Sequence, residues 1–275
     1  MDRYAVIGNP IEHSKSPWIH ARFAELTQQS LEYSALLVEL DAFESRVLEF
    51  FKAGGKGLNI TVPFKERAWA MAQRHSDAAR KAGAVNTLYL DADGKLVGEN
   101  TDGTGLLRDL KHNHGADLAG KRILVLGAGG AVRGVLPNLV AESPTSIFIA
   151  NRTVEKAQAL AESAQGKVSI HGVRFDAIPR EAFDFVINGT SAGLQGQLPA
   201  MPNETVNTHT WCYDMIYGVG DTKFQAWAKS LGAAQALDGL GMLVEQAAES
   251  FKIWRGLSPQ TEPVIRQLRQ MLNQT

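Results

Sequence analysis

Short apolar runs alternate with longer stretches of helical period through the first hundred residues. "YAVIG" (4–8) has the length and branched content of a strand closed by glycine. "SPWIHARFAELTQQ" (16–29) carries the spacing of a helix, with Ser16 as its N-cap and Pro17 at its first position. "YSALLVEL" (33–40) predicts a strand, "DAFESRVLEFFKAGG" (41–55) a helix stopped by glycine, and "GLNITV" (57–62) a further strand. "NTLYLDADGKLVGEN" (86–100) has strand-like runs on either side of Asp93-Gly94, the pattern of a hairpin.

A second series follows. "DGTGLLRDLKHNHG" (102–115) predicts a helix, and "KRILVLGAGGAVRGVLPNLVAE" (121–142) a strand, a glycine turn and a helix. "SIFIA" (146–150) is the next strand and "TVEKAQALAESAQ" (153–165) the next helix. Strands are expected at 168–171, 184–188 and 210–214, and helices near 221–231, 240–255 and 261–273. This alternation predicts α/β architecture with largely parallel sheets joined by right-handed crossovers. One complete series precedes residue 101 and another begins at the glycine turn, so a domain boundary is expected near 101. The pattern alone leaves the last helices free to join either domain.

Bulk composition narrows the function classes. The 275 residues suffice for two modest domains with real cores. Basic and acidic residues number 28 and 29, a net charge of −1, which argues against nucleic acid or an anionic membrane as a general partner. Cys212 is the only cysteine, so no internal disulfide can form. "MDRYAVIGNP" lacks the basic start and long apolar core of a signal peptide, and no apolar run is long enough to cross a membrane. A cytoplasmic protein is the expectation.

The glycine turn is the first candidate site. Gly127, Ala128, Gly129, Gly130 and Ala131 lie between an apolar strand and a helix. Gly127 permits the tight turn, Gly129 lets a pyrophosphate approach the backbone, and the helix N-terminus favours that anion. Val132 stands where a strict G-x-G-x-x-G would place glycine, and many glycine turns do no more than join a strand to a helix. The following strand bears on the choice of dinucleotide. An acid about 20 residues on would bind both ribose hydroxyls and select NAD. Here Asn151 and Arg152 follow the strand, then Thr153 and Lys156. A planar guanidinium suits phosphate oxygens and stacks on adenine. Thr153 adds a hydroxyl and the expected helix cap, and Lys156 lies on its face of the helix. The cluster therefore predicts NADP.

The second candidate site gathers polar residues at strand ends of the first domain. Ser14 and Ser16 follow the first strand; Asn59, Thr61 and Lys65 lie at the end of the third; Asn86, Thr101 and Asp102 flank the hairpin. Ligands of open α/β sheets bind beyond such ends. Hydroxyls, amides and a Lys/Asp pair suit a small polyhydroxylated substrate, although each residue singly reads as a turn or cap.

The stretches "GNPIEHSKSPWIH", "GLNITVPFK", "AGAVNT", "GENTDGTG", "VLGAGGA", "ANRT", "YDMIY" and "DGLGMLVEQAA" occur in this order. With them the sequence resembles the shikimate dehydrogenase family from Tyr4 to the last helix. The resemblance implies a substrate domain at 1–101, completed by 240–275, and a Rossmann-like NADP domain at 102–239. It implies reversible reduction of 3-dehydroshikimate to shikimate by NADPH, in aromatic amino-acid biosynthesis; a monomer or homodimer is the expectation. Ser14 and Ser16 match residues that bind the substrate carboxylate. Thr61, Asn86, Asp102 and Gln246 match residues around the ring hydroxyls, and Tyr217 matches a tyrosine at the substrate. Lys65 matches the catalytic lysine, with Asp102 beside it. Met215 and Gly239 match residues of the nicotinamide pocket, and Asp77 an acid near the cofactor.

One departure stands out. Many members carry Asn-Pro after "YDMIY", where this chain has Gly218-Val219, which leaves the shape of that loop open. Lys65 is the expected proton donor to the ketone oxygen. No histidine spacing predicts a metal. Two alternatives remain: a dual quinate/shikimate dehydrogenase, which the Arg152 cluster disfavours, and a non-catalytic NADP- or ligand-binding regulator, which the intact Lys65 and Asp102 disfavour.

Overall fold

A computed structural model describes residues 1–274 apart from 165 and 196. The last position of the helix predicted at 153–165 and the final residue of the 240–275 segment therefore lie outside the described residues. The chain divides into two compact units, Met1–Gly105 with Leu243–Arg266, and Leu106–Met242 with Gln267–Thr275.

In the first unit β1 (Asp2–Gly8), α1 (Ser16–Leu26), β2 (Leu31–Leu37), α2 (Phe43–Lys52) and β3 (Gly57–Ile60) form two parallel crossovers. Then come α3 (Lys65–Met71), β4 (Arg74–His75), α4 (Asp77–Ala82), β5 (Thr87–Leu90) and β6 (Leu96–Glu99). The sheet order is β2-β1-β3-β5-β6-β4, with β5 antiparallel to both β3 and β6. The predicted hairpin is thus inserted into the sheet and makes it mixed. The elements α3, β4 and α4 were not anticipated, because two to seven residues carry too little period to register. Ser76 caps α4 by accepting from the Ala79 amide at 3.0 Å. Ser16 is not a cap: Lys15 occupies that position without a side-chain bond, and Ser16 is the first helical residue.

One face of this sheet packs Ala5, Ile7, Leu58 and Ile60 against Phe43, Val47 and Phe64, with the Phe43 and Phe64 rings stacked at 4.6 Å. The late helix α9 (Leu240–Arg255) contributes Phe251 and Trp254 to this unit. Trp254 stacks on Tyr4 at 4.8 Å, and a Cβ on Gly57 would overlap its indole. Glycine at 57 is what lets the helix lie this close to the strand.

The second unit starts at the end of α5 (Asp102–Arg108) and continues through β7 (Arg122–Leu126), α6 (Gly130–Ala141), β8 (Ser146–Ala150), α7 (Val154–Ser163) and β9 (Ser169–Val173). After these come β10 (Phe185–Asn188), β11 (Trp211–Asp214), α8 (Lys223–Ser230), β12 (Gln235–Leu237) and α10 (Glu262–Asn273). All pairings are parallel, in the order β12-β11-β10-β7-β8-β9. The order reverses between β7 and β10, and such switch points are where open α/β sheets bind ligands. The helix predicted at 102–115 is divided: Asp109–Asn113 form a π turn. The turn brings the Asp109 carboxylate to the Tyr213 hydroxyl, which donates to it at 2.6 Å.

Candidate functional site

In the first unit the structure gathers the polar residues picked out from strand ends. Lys65 opens α3 and Asp102 opens α5. Their side chains are 16% and 7% exposed, and Lys65 Nζ donates to Asp102 Oδ2 at 2.5 Å. A cation at a helix N-terminus opposes the helix dipole, so local propensity does not explain Lys65 there. The other carboxylate oxygen accepts from Asn86 Nδ2 at 2.9 Å. The Thr101 amide donates to Asn86 Oδ1 at 2.9 Å, which sets the orientation of that side chain. Asn86 Nδ2 also reaches Gln246 Oε1 at 3.3 Å, so α9 carries Gln246 to the same cluster.

Ser14, Ser16 and Thr61 belong to the same unit. Ser14 Oγ accepts from the Ser16 amide at 3.3 Å, and Ser16 is buried at the start of α1. Thr61 follows β3, where its amide donates to Ile7 O at 2.9 Å. Asp77 is exposed, opens α4 and pairs with Arg80. It lies in the first unit, apart in the chain division from the other residues matched to cofactor contacts.

Beneath Asn86 runs a network that joins Asn59 to Tyr33, Thr87 and Ser250, three residues that sequence reading missed. Asn59 Nδ2 donates to Ser250 Oγ at 3.0 Å, and Ser250 Oγ meets Thr87 Oγ1 at 2.8 Å. Thr87 Oγ1 donates to Asn86 Oδ1 at 2.9 Å, and Tyr33 donates to Asn59 Oδ1 at 2.7 Å. One signal for Ser250 was available: it lies four residues after Gln246, on the same helical face.

The second unit holds the glycine turn after β7. Gly127 has φ +104°, and a Cβ there would press on the carbonyl of Gly189 at 3.1 Å. Gly129 is the N-cap of α6, no side chain caps that helix, and the space a Cβ would fill at Gly129 is open. The amides of the first turn are therefore free for an anion. Ala128 is buried, while Gly130 and Ala131 begin α6.

At the end of β8, Asn151 Nδ2 donates to Thr153 O at 2.8 Å. Thr153 takes the N-cap position of α7, but its hydroxyl makes no capping bond, contrary to expectation. Arg152 is exposed and has no ion-pair partner among the described residues, and the same holds for Lys156. Free cations beside an uncapped helix start, one strand from the glycine turn, fit the 2′-phosphate and pyrophosphate of NADP.

Met215 and Gly239 lie back to back: a Cβ on Gly239 would overlap the Met215 carbonyl. Burial raises the Tyr217 phenol above its usual range, and the charge of Asp238 adds to this. In the loop after "YDMIY", Gly220 has φ +65° and Val219 is exposed. Thr222 closes the loop with a capping box on α8 and donates to Asp214 Oδ2 at 2.7 Å. Among the described residues no group of three His, Cys, Asp or Glu is placed to hold a metal, and no helix is long and apolar enough to cross a membrane.

Residues 6–88 match the shikimate dehydrogenase substrate binding domain, residues 109–208 the family described as shikimate / quinate 5-dehydrogenase, and residues 239–269 the shikimate 5′-dehydrogenase C-terminal domain. A shikimate dehydrogenase (NADP(+)) of Alkalilimnicola ehrlichii is 59% identical over 98% of both chains. Its counterpart in Hahella chejuensis is 54% identical over 98% of this chain and 99% of that one. A crystal structure of the Thermus thermophilus shikimate 5-dehydrogenase with NADP(H) and shikimate has a TM-score of 0.86 at 34% identity, covering 99% of this chain and 100% of that one.

Proposed function

This chain belongs to the shikimate dehydrogenase family, and from that premise we propose that it catalyses the reversible, NADP-dependent interconversion of 3-dehydroshikimate and shikimate. The observation that carries the reading is the part-buried Lys65–Asp102 pair, joined by Asn86 and Gln246. The residues of the glycine turn and of the β8 end fit NADP, which supplies the hydride when bound.

Lys65 gives a proton to the substrate carbonyl oxygen as the new C–H bond forms, so ketone becomes hydroxyl and the lysine is left neutral. In the reverse direction the neutral amine takes that proton back. Asp102 holds Nζ in place and accepts from a ring hydroxyl. Asn86, Thr61 and Gln246 orient the hydroxyls, Ser14 and Ser16 bind the carboxylate, and Tyr217 lies against the substrate. Gly127, Ala128, Gly129, Gly130 and Ala131 hold the pyrophosphate. Asn151, Arg152, Thr153 and Lys156 hold the 2′-phosphate, Met215 and Gly239 line the nicotinamide, and Asp77 stands near the cofactor. The same reading places the enzyme in the cytoplasm, as a monomer or homodimer; the buried free thiol of Cys212 is compatible with a reducing compartment.

The test is a spectrophotometric assay of shikimate with NADP+ and with NAD+, and of quinate with each. Turnover of shikimate with NADP+ is expected to dominate. Lys65→Met, which keeps the stem, is expected to lower kcat by about 10²–10⁴ while moving the shikimate KM much less. Near-normal turnover in that variant would remove Lys65 from the mechanism.

A further inference from the structure

The strands β8 and β9 leave the second sheet side by side. Ala150 pairs with Val173, and the Asn151 amide donates to the Val173 carbonyl at 3.1 Å. Arg174 therefore emerges next to the Asn151–Arg152 segment. Arg152 and Arg174 line one open cavity of about 450 Å³, together with Phe175, Asp176, Arg180 and Met201. Three guanidinium groups face one lining carboxylate, and Glu204 offsets Arg180, so this wall keeps a formal charge of +1 toward a phosphate monoester of about −2.

The three arginines are engaged differently. Arg152 has no ion-pair partner among the described residues. Arg180 uses a terminal nitrogen, Nη1, to bind Glu204 at 3.1 Å. Arg174 donates through Nε to Asp176 at 3.2 Å, and its two terminal nitrogens have no partner among the described residues. A guanidinium held at Nε with its outer edge free is already turned to receive phosphate oxygens. The exposed pair with Asp176 is a weak restraint and does not compete seriously with a dianion.

We propose that Arg174 is a second 2′-phosphate ligand, which extends the Arg152 cluster across the β8–β9 edge and strengthens discrimination for NADP over NAD. The inference rests on the NADP reading above. It adds a residue from a different strand, one that does not follow from the motif after β8. Arg180, committed to Glu204, forms the far wall and is not a ligand.

Calorimetric titration of the full chain with adenosine 2′,5′-bisphosphate and with 5′-AMP tests this without relying on turnover. Arg174→Ala is expected to weaken bisphosphate binding about tenfold and to leave 5′-AMP within about twofold, with part of the loss restored in Arg174→Lys. Arg174 is exposed, so an unchanged unfolding midpoint is expected to accompany the change. Unaltered bisphosphate affinity, equal losses for both nucleotides, or a larger loss in Arg180→Ala would overturn the proposal. Arg152→Ala separates the two levels. If it abolishes the preference while Arg174→Ala does not, only the role of Arg174 fails. If neither variant alters the preference, the NADP assignment of the whole cluster fails as well.

Discussion

At the scale of single residues, the polar cluster reaches well past the groups that touch substrate. Tyr33, Asn59, Ser250 and Thr87 link in sequence to Asn86, Asp102 and Lys65 through hydrogen bonds that are buried or part-buried. Satisfied networks of this kind hold side chains in one orientation. His20 borders this network. Its ring stacks on Tyr33 at 4.1 Å, both nitrogens are buried without a hydrogen-bond partner, and burial lowers its pKa to about 3, opposed in part by the nearby Asn59. The folded chain therefore keeps the ring neutral at pH values where the unfolded chain, with a pKa near 6.5, takes up a proton. The contribution is complete above pH about 6.5 and declines as pH falls toward 3. Between those limits wild type is expected to lose up to about 1.4 kcal/mol per pH unit relative to His20→Phe, measured by urea unfolding. Parallel pH profiles would show that the ring is not held neutral by the fold. Sequence pattern put Lys65, Asp102, Asn86 and Asn59 at strand ends. It could not show that Ser250, distant in the chain, completes their network, because that contact depends on how α9 lies across the sheet.

Among the elements, glycines mark where helix and strand backbones come closest. Gly172 in β9 faces α7, and a Cβ there would overlap backbone atoms of Ala157 and Gln158. Main chain cannot rotate aside as a side chain can, so Gly172→Ala is expected to cost about 1–3 kcal/mol by overpacking. Gly218→Ala, where a Cβ would meet nothing within 4 Å, is expected to be near neutral. Thermal unfolding of the two variants checks the contrast, and a neutral Gly172→Ala would mean that α7 is free to shift. Long elements with clear period were legible: β7, α6, β8 and α9 lie close to where pattern placed them. The missed ones, α3, β4, α4 and β12, are short and held by their neighbours rather than by propensity. The break at Asp109 was also out of reach, since the Tyr213 hydroxyl that its carboxylate meets lies 104 residues away.

For the whole molecule, the separation into two units predicts that each ligand is felt first by its own unit. In hydrogen exchange, shikimate alone is expected to slow amides around 59–65, 86–102 and 246. NADP+ alone is expected to slow those around 127–133 and 151–156. The reverse assignment would contradict the proposed division of labour. By itself the sequence determined the alternation of strands and helices, the glycine turn, the cationic end of β8 and the family, because these depend on residues close together in the chain. Only the tertiary structure decided the mixed sheet of the first unit, the bonding of Ser250 to Asn59 and Thr87, and the shared cavity of Arg152 and Arg174. Those follow from strand order and helix docking, which are set by packing between residues far apart in the chain and leave no local pattern to read.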